Sequence, residues 1–271
     1  MGKNLVLTAA VGYKFNQIEL FIKSLRKYYS DHICIISDYS DKNIDGELMK
    51  LNCEVIKTKV NKKEIQFKRY KIFKNYLKDK DFENILLCDG RDIYFQDNPF
   101  NFDFEGPINF FLEDYQIKNC PFNSNWIIKT YGQEKYNEIL DKTILCSGTV
   151  LGINNKIIEY LDLINYQIEN FKYRKRLKYF LTFRPDPEGR GCDQGHANFL
   201  VHKTIIKDVS YYSNEGGPFA TVYYLKKINF DNSSRLINNR GEPYLLVHQY
   251  DKRWSEFSNA VNSLKKELNV F

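Results

Sequence analysis

Near the start of the chain, short apolar runs alternate with stretches whose apolar residues recur at helical spacing. The runs at 4–10, 32–36 and 53–57 are typical of buried strands, whereas 16–29 and 47–51 predict the helices between them. Strands that alternate with helices form parallel sheets through right-handed crossovers. This order therefore predicts an α/β fold with a doubly wound, mostly parallel central sheet flanked by helices.

The most informative stretch is 85–95, where an apolar run ends in Asp89-Gly90-Arg91-Asp92 and a second, shorter apolar run follows. A short apolar run bounded by turn residues predicts a strand buried on both faces. Ligands of parallel sheets bind at the carboxyl ends of the strands, where this run places its two aspartates. An unpaired carboxylate in a dry interior costs several kcal/mol, so Asp89 and Asp92 should face water, pair with Arg91 or another cation, or bind a metal.

The rest of the pattern predicts the strands 109–113, 144–153 and 242–250, the helices 62–79, 156–178, 194–203 and 255–268, and an aromatic loop at 120–133. The strand 144–153 is interrupted by Ser147, Gly148 and Thr149. A glycine within a strand often marks a bulge or a close approach of the backbone to a ligand. Since no linker or repeat divides the chain, we expect one domain over 1–271.

Composition and charge narrow the class of protein. With 271 residues, of which 43% are hydrophobic and 27% charged, the chain is expected to be globular. The net charge of +6 suits an anionic ligand such as a nucleotide diphosphate, or loose contact with acidic lipid. The sequence contains no interleaved basic–aromatic motif of the kind that binds nucleic acid. Six scattered cysteines without a C-x-x-C, no secretory signal and no membrane-length apolar run predict reduced thiols in a soluble cytoplasmic protein.

The basic stretch 172–178 allows two interpretations. It fits a solvated helix face whose cations lie near the helix C-terminus, where the macrodipole favours them. It also fits contact with an acidic acceptor, or peripheral contact with the cytoplasmic face of the inner membrane. The sequence leaves both open.

Five segments carry a resemblance to a known family. In chain order they are LTAAVGY, DGRDIYFQDNPF, CSGTVLG, CDQGHANFL and VHQYD, within about residues 5–253. They resemble the bacterial GT-A glycosyltransferases whose metal motif is D-x-R-D followed by F-Q-x-[DN]-P-F. The resemblance implies a GT-A fold, with a nucleotide-sugar-binding half at about 1–150 and a smaller acceptor-side half at about 151–271. It also implies that Mn²⁺ or Mg²⁺ holds the diphosphate of the donor.

The resemblance implies a metal site made of Asp89, Asp92 and His248. Asp92 is the expected ligand, and Asp89 is expected on the ribose or also on the ion. Arg91 stands at the third position of the usual D-x-D, where it would hold Asp92 in place or contact phosphate. A histidine that follows an apolar strand, as His248 does, also fits a packed and hydrogen-bonded core residue.

The further residues that the resemblance assigns to the nucleotide-sugar, beside Asp89 and Arg91, are Thr8, Ala9, Ala10, Tyr13, Arg69, Ser147, Gly148, Thr149, Gln194 and Lys252. Arg69 fits a surface salt bridge nearly as well. Asp193 is the candidate catalytic residue, as a general base in an inverting enzyme or as a positioning group in a retaining one. Asp193 also suits the N-cap of the helix 194–203. The acceptor is expected to enter across 184–191 and 216–219.

The resemblance therefore implies a metal-dependent hexosyltransferase. It would move a sugar from a nucleotide diphosphate, expected to be a UDP-sugar, to a hydroxyl of a polysaccharide or lipopolysaccharide acceptor. A sugar nucleotidyltransferase is the first alternative, disfavoured because no glycine-rich phosphate loop with a lysine or arginine follows the first strand. A non-catalytic carbohydrate- or membrane-binding protein on the same fold is the second.

Overall fold

The computed structural model describes residues 3–182 and 186–270. Its strands are β1 (Leu5–Ala9), β2 (His32–Ser37), β3 (Glu54–Lys57), β4 (Asn84–Asp89), β5 (Ile93–Phe95), β6 (Ile108–Gln116), β7 (Thr143–Ile153), β8 (Val209–Tyr212), β9 (Phe219–Thr221), β10 (Asn229–Phe230), β11 (Leu236–Ile237) and β12 (Leu246–His248). Its helices are α1 (Phe15–Tyr28), α2 (Ile44–Lys50), α3 (Ile65–Leu77), α4 (Pro121–Tyr131), α5 (Gln133–Asn137), α6 (Asn154–Asn170), α7 (Leu177–Leu181), α8 (Cys192–His202) and α9 (Trp254–Glu267). Residues 184 and 185 of the expected acceptor entry lie outside the described residues.

A seven-stranded central sheet has the strand order β3-β2-β1-β4-β7-β6-β8. The neighbours from β3 to β4 are parallel, and so are β6 and β8. Only β7 is antiparallel to its two neighbours in this sheet of the described chain. The predicted α/β class with a mostly parallel sheet flanked by helices is therefore confirmed, and the architecture is compatible with a Rossmann-like fold.

Both faces of the central sheet are buried, as the unbroken apolar runs predict. Leu5 and Leu7 of β1 lie in one core cluster with Tyr70 and Phe73 of α3. Val6, between them in sequence, lies in the opposite cluster, which also contains side chains of α1. Successive strand residues point to opposite faces, so each apolar run supplies both cores at once. The carboxyl ends of these strands are thereby fixed between two layers of helices.

A second sheet connects the end of the chain to the end of β4. It has the strand order β5-β12-β9, with β12 antiparallel to β5 and parallel to β9. The strand predicted at 242–250 is shorter, because β12 comprises Leu246–His248. Pro243 precedes it in an isolated bridge to Ile237, and proline cannot donate to a strand ladder.

The aromatic loop predicted at 120–133 is wrong, since this stretch contains helix α4. Proline occupies the first position of α4, and Gly132, with φ of +91°, follows its last residue. Both are ordinary signals of helix ends. The face that α4 buries contains Asn123, Ile127 and Thr130. Two of these three residues are polar, which hides the helical period from a purely apolar pattern.

The helix predicted at 156–178 is too long, because α6 ends at Asn170. The Asn170 side chain donates to the Tyr166 carbonyl, and Lys172 Nζ donates to the Ile168 carbonyl, each at 2.8 Å. The Ile168 carbonyl is one of those that the last helical turn leaves free, so Lys172 caps the end of α6. The whole of 172–178 therefore lies beyond the end of α6, so its cations do not form the predicted helix face, although Lys172 contacts a carbonyl at the helix C-terminus.

All six cysteines are buried and free, in agreement with the predicted reduced thiols. Over residues 3–182 and 186–270, no helix combines the length and the apolar character needed to cross a membrane.

Candidate metal centre and adjoining cleft

Asp89, Asp92 and His248 converge at the carboxyl end of β4. One potential ligand atom from each lies within 4.8 Å of the others. His248 Nε2 is 3.5 Å from Asp89 Oδ2 and 3.6 Å from Asp92 Oδ1. The three residues that the sequence assigned to a metal are therefore brought together, although Asp89 and Asp92 are separated from His248 by most of the chain.

Strand pairing in the small sheet places His248 beside the two aspartates. Asp89 is the last residue of β4, and the turn after it leads into β5. His248 pairs with Ile93 of β5 across the antiparallel ladder. The next residue, Gln249, has φ of +63° and donates its backbone N–H to the Asp92 carbonyl at 2.8 Å. This register leaves the His248 side chain no other site, since its imidazole is only 1% exposed.

Strand β7 forms the opposite wall through Gly148. A Cβ atom on Gly148 would lie 2.6 Å from both Asp89 Oδ2 and His248 Cε1, closer than real contacts permit. The ladder of β7 with β6 is irregular here, since Phe110 pairs with Val150 whereas Leu112 pairs with Leu145. The predicted strand irregularity is therefore confirmed. The close approach at Gly148 is to the side chains of Asp89 and His248, and an approach to a bound ligand stays a prediction.

The residues present fit a divalent cation. His248 Nε2 is buried and has no hydrogen-bond partner among the described residues. Cys146 Sγ lies 3.2 Å from the other ring nitrogen, Nδ1, so Nε2 is the atom that faces the aspartates. Carboxylate oxygen and imidazole nitrogen are common ligands of divalent metals in proteins. The cluster of Asp89, Asp92 and His248 could therefore hold a metal ion.

The electrostatic environment keeps Asp89 ionised. Burial alone would raise the pKa of Asp89, but the Arg69 guanidinium and His248 hold it well below its usual range. Burial alone would lower the pKa of His248, yet Cys146, Asp92 and Asp89 raise it well above its usual value. Protons and a metal ion compete for the same nitrogen, so cation binding at this cluster releases a proton.

Arg69 of α3 joins the candidate metal centre to Asp193. Its guanidinium contacts Asp89 through Nη1 and Asp193 Oδ2 through Nη2, the latter at 3.0 Å. Its side chain is only 12% exposed, so the expected surface salt bridge is instead an internal one. Tyr70, the next residue, donates its hydroxyl to the same Asp193 oxygen at 3.0 Å.

Asp193 is the second residue of α8 and does not cap it. Gly191, in the left-handed region at φ of +83°, occupies the N-cap position. The capping role expected for Asp193 is therefore wrong, because its side chain points away from its own helix to Arg69 and Tyr70. Burial raises the pKa of Asp193, and the Arg69 charge opposes that shift.

A cleft of about 440 Å³ opens beside the metal centre. Six of the residues assigned to the metal or the nucleotide-sugar line it: Ala9, Tyr13, Arg69, Asp89, Arg91 and Asp92. Sequence reasoning missed Lys62, Lys63 and Gln66, which also line it, as does Arg190 from the stretch predicted for acceptor entry. Lys62 Nζ lies 4.0 Å from the centre of the Tyr13 ring. The cleft therefore combines an aromatic ring, several cations and the candidate metal ligands.

The other assigned residues lie outside the lining of this cleft. Thr8, Ala10 and Thr149 are buried behind it, and the hydroxyls of Thr8 and Thr149 have no partner among the described residues. Ser147 is half-buried in β7, and Lys252 is exposed on the turn after β12. Gln194 faces the interior.

Arg91 contacts Asp251 closely, while its nearest approach to Asp92 is 3.9 Å. Asp251 follows β12 in the VHQYD segment, so this ion pair ties the turn after β4 to the end of β12. Arg91 therefore acts on the turn that carries Asp92 through its ion pair with Asp251. Its side chain also lines the cleft.

Glu113 of β6 is a buried carboxyl group that sequence reasoning missed. It is 2% exposed, and its Oε1 accepts a hydrogen bond from Gln194 Nε2 at 3.2 Å. Gln194 also donates to Asn123 Oδ1 at 3.4 Å. Burial raises the pKa of Glu113 to about 7, against the opposing charge of His248. The sequence signal that could have identified Glu113 is its place as an acidic residue at the end of the predicted apolar strand 109–113.

No model of a known protein family matches the chain, and no curated protein matches it either. Any inference about function therefore rests on the geometry of these side chains.

Proposed function

We propose that the chain is a metal-dependent glycosyltransferase of the GT-A type. It would transfer a sugar from a nucleotide diphosphate, with uridine as the expected base, to a hydroxyl of a polysaccharide or lipopolysaccharide acceptor. The observation that supports this most is the convergence of Asp89, Asp92 and His248 at a strand end beside a cationic cleft. Ligands of parallel α/β sheets bind at such strand ends.

Asp89, Asp92 and His248 would hold Mn²⁺ or Mg²⁺. When bound, such an ion stabilises the negative charge that develops on a diphosphate leaving group. Lys62, Lys63 and Arg190 line the same cleft and supply further positive charge for phosphate oxygens.

The protein itself holds these groups in place. Arg69 keeps Asp89 ionised and oriented, and Asp251 orients Arg91. Gly148 leaves the space that a side chain would take from Asp89 and His248. Groups that are fixed before substrate arrives need no reorganisation during the reaction, which is where much of the catalytic advantage of enzymes lies.

Asp193 has two possible roles in the proposed reaction. In an inverting transfer it would accept the proton of the incoming hydroxyl, and in a retaining one it would position other groups. Its bonds to Arg69 and Tyr70 favour positioning, because one carboxylate oxygen is already occupied by two donors. The Asp193→Asn variant separates them: a proton acceptor gives a kcat that falls and loses its pH dependence, whereas a positioning group changes kcat without changing the profile.

The first experiment is a thermal-shift screen of nucleoside diphosphates and nucleotide-sugars, with and without Mn²⁺. A ligand that binds only the folded state raises stability by about 2.7 kcal/mol at a hundred times its dissociation constant. We expect a uridine diphosphate compound with Mn²⁺ to give the largest shift. A flat response to every nucleotide under both conditions would favour the non-catalytic alternative and remove the proposal.

The Asp92→Asn variant is the matched control for the metal. It keeps the size of the side chain and removes one charge, so the fold should persist while the Mn²⁺-dependent part of the shift disappears. A product assay then separates two reactions on the same substrate class. Release of a nucleoside diphosphate indicates sugar transfer, whereas pyrophosphate formed from a nucleoside triphosphate and a sugar phosphate indicates nucleotidyl transfer.

A further inference from the structure

The residues 171–182, here called the basic segment, hold most of the net charge of the protein. The segment contains five lysines and arginines and no aspartate or glutamate. The whole chain has a formal net charge of +6, so the remaining residues together carry 6 − 5 = +1. Such a local concentration of one sign is typical of a surface that meets an anionic partner.

The same segment exposes large apolar side chains. Leu177, Phe180 and Leu181 of α7 are 71%, 66% and 64% exposed. Their spacing of three and four residues places them on one face of the helix. Single exposed apolar residues are ordinary on protein surfaces, but three on one short face form a patch that indicates a binding surface. Phe171, 37% exposed, adds a fourth at the start of the segment.

The fold holds the basic segment in place through one of its cations. Arg176 donates its backbone N–H to Asp186 Oδ2 at 2.8 Å and its Nη2 to Asp186 Oδ1 at 2.8 Å. Arg174 donates its backbone N–H to the Lys129 carbonyl at 3.0 Å. Since Asp186 is only 5% exposed, this anchor is internal, and the rest of the segment is presented outward.

The other cations of the segment face solvent without a carboxylate partner. Lys172, Arg174, Lys175 and Lys178 are exposed, and none forms a salt bridge with any residue in 3–182 or 186–270. Cations that are paired within a protein contribute little to an external partner, whereas unpaired ones act together on it.

The basic segment also borders a second cleft, of about 690 Å³. Phe171, Lys172 and Lys175 line this cleft, which shares Lys63, Gln66 and Arg190 with the cleft at the candidate metal centre. The second cleft therefore adjoins, at these three shared residues, the cleft that Asp89 and Asp92 line.

We propose that the basic segment docks on the surface of an anionic lipid bilayer. Leu177, Phe180 and Leu181 would enter the boundary between headgroups and acyl chains, while the four exposed cations contact headgroup phosphates. This arrangement of apolar and basic side chains is that of helices that lie in a membrane interface. A second copy of this chain, docked through the same face, fits less well, because the four exposed cations of one copy would lie against those of the other.

The test is co-sedimentation of the full chain with vesicles, measured without metal or nucleotide so that it is independent of any transfer activity. Vesicles of phosphatidylcholine alone are compared with vesicles that also contain phosphatidylglycerol. We expect binding to the anionic vesicles, at least about tenfold weaker binding to the neutral ones, and loss of binding as salt screens the surface charge.

A variant that combines Leu177→Ser, Phe180→Ser and Leu181→Ser should bind anionic vesicles at least about tenfold more weakly and keep its melting temperature, because the three side chains are exposed. Met49→Ser is the matched control, since Met49 is 70% exposed on α2, outside the segment. Unchanged vesicle binding by the triple variant overturns the proposal, and so does equal binding to neutral and anionic vesicles. Lipid-independent self-association that the triple variant abolishes, without vesicle binding, assigns the face to a second copy and also overturns it.

Discussion

The candidate metal centre and the basic segment use charge in opposite ways. At the centre, Arg69 is 12% exposed and contacts two carboxylates, Asp89 and Asp193. In the segment, Lys175 and Lys178 are exposed and meet no carboxylate among the described residues. An interior charge is held in one position by its partners, and its removal leaves those partners uncompensated. A surface charge is hydrated and replaceable, so only the sum of several matters.

This difference predicts where single substitutions have large effects and where only combined ones do. The following variants test it, each with a control from the contrasting environment.

The largest effect is expected for Arg69→Met. This substitution leaves Asp89 and Asp193 without their shared cation, and losing one partner of a buried pair costs about 3 to 5 kcal/mol. The matched control is Lys71→Met on the same helix. The Lys71–Glu169 pair is well exposed, with 3.6 Å between its charged atoms, so a change below about 1 kcal/mol is expected. Urea denaturation of both variants measures the difference, and equal losses would contradict the contrast drawn above.

Glu113→Gln should change the pH dependence of stability. The folded state raises the Glu113 pKa from 4.5 to about 7, so it holds the proton more tightly than the unfolded state. The stability contributed by this carboxyl is complete below about pH 4.5 and is lost as the pH rises to about 7, by up to roughly 3 kcal/mol. The neutral glutamine still accepts the bond from Gln194 and does not titrate.

We therefore expect the Glu113→Gln variant to be the more stable protein at pH 8, with the difference vanishing near pH 4. Both proteins share every other titrating group, so the difference between their denaturation curves measures the titration of Glu113 together with its interaction with His248. Glu83→Gln, at an exposed position, serves as the control and should change stability by less than about 0.5 kcal/mol. A difference that is constant with pH would remove the role assigned to burial of Glu113.

Gly148→Ala is expected to act on metal affinity more than on folding. The added Cβ would displace the Asp89 and His248 side chains, both 2.6 Å away. Displaced ligands and supporting groups typically cost about ten- to a hundredfold in metal affinity. Calorimetric titration with Mn²⁺ measures this loss. Gly46→Ala is the control, because a Cβ there meets nothing within 4 Å, and equal Mn²⁺ affinity in both variants would place the cation elsewhere.

The smallest effect is expected for Lys175→Ser in the basic segment. One of four exposed cations is removed, which should weaken binding to anionic vesicles only about fivefold. Its melting temperature should match that of the unaltered protein, since no partner among the described residues loses a bond. A loss of vesicle binding as large as that of the apolar triple variant would show that this lysine has a specific site, contrary to the additive behaviour of surface charge.

Six of the seven strands of the central sheet were predictable because each is a local apolar run, whereas the edge strand β8 (Val209–Tyr212), with its exposed and half-buried residues, was not predicted. β1, β2 and β4 are short apolar runs, and their burial on two faces follows from that composition. Helix α4 was not predictable in this way, because polar Asn123 and Thr130 occupy its buried face. The end of α6 at Asn170 was missed because lysine and arginine, which follow it, are good helix formers, and 171–182 contains no glycine or proline to end a helix.

The candidate metal centre likewise contains some residues that the sequence predicts and others whose roles depend on contacts between distant parts of the chain. Asp89 and Asp92 could be assigned from sequence, since they follow a buried strand directly. For Asp193, the candidate catalytic residue, local sequence also suggested an N-cap, whereas its partners Arg69 and Tyr70 come from a distant helix. Glu113 was missed because its burial and its bond to Gln194 arise only when β6 meets α8.

The sequence by itself determined the α/β class, the acidic end of β4 and the need of its carboxylates for positive charge, since these follow from local hydrophobic pattern and the cost of burying ions. Only the tertiary structure decided that Arg69 supplies that charge and that the β12 register brings His248 to the aspartates. It likewise decided that the cations of the basic segment stay exposed. Contacts between distant residues depend on strand pairing and packing of the whole chain, which no local pattern encodes.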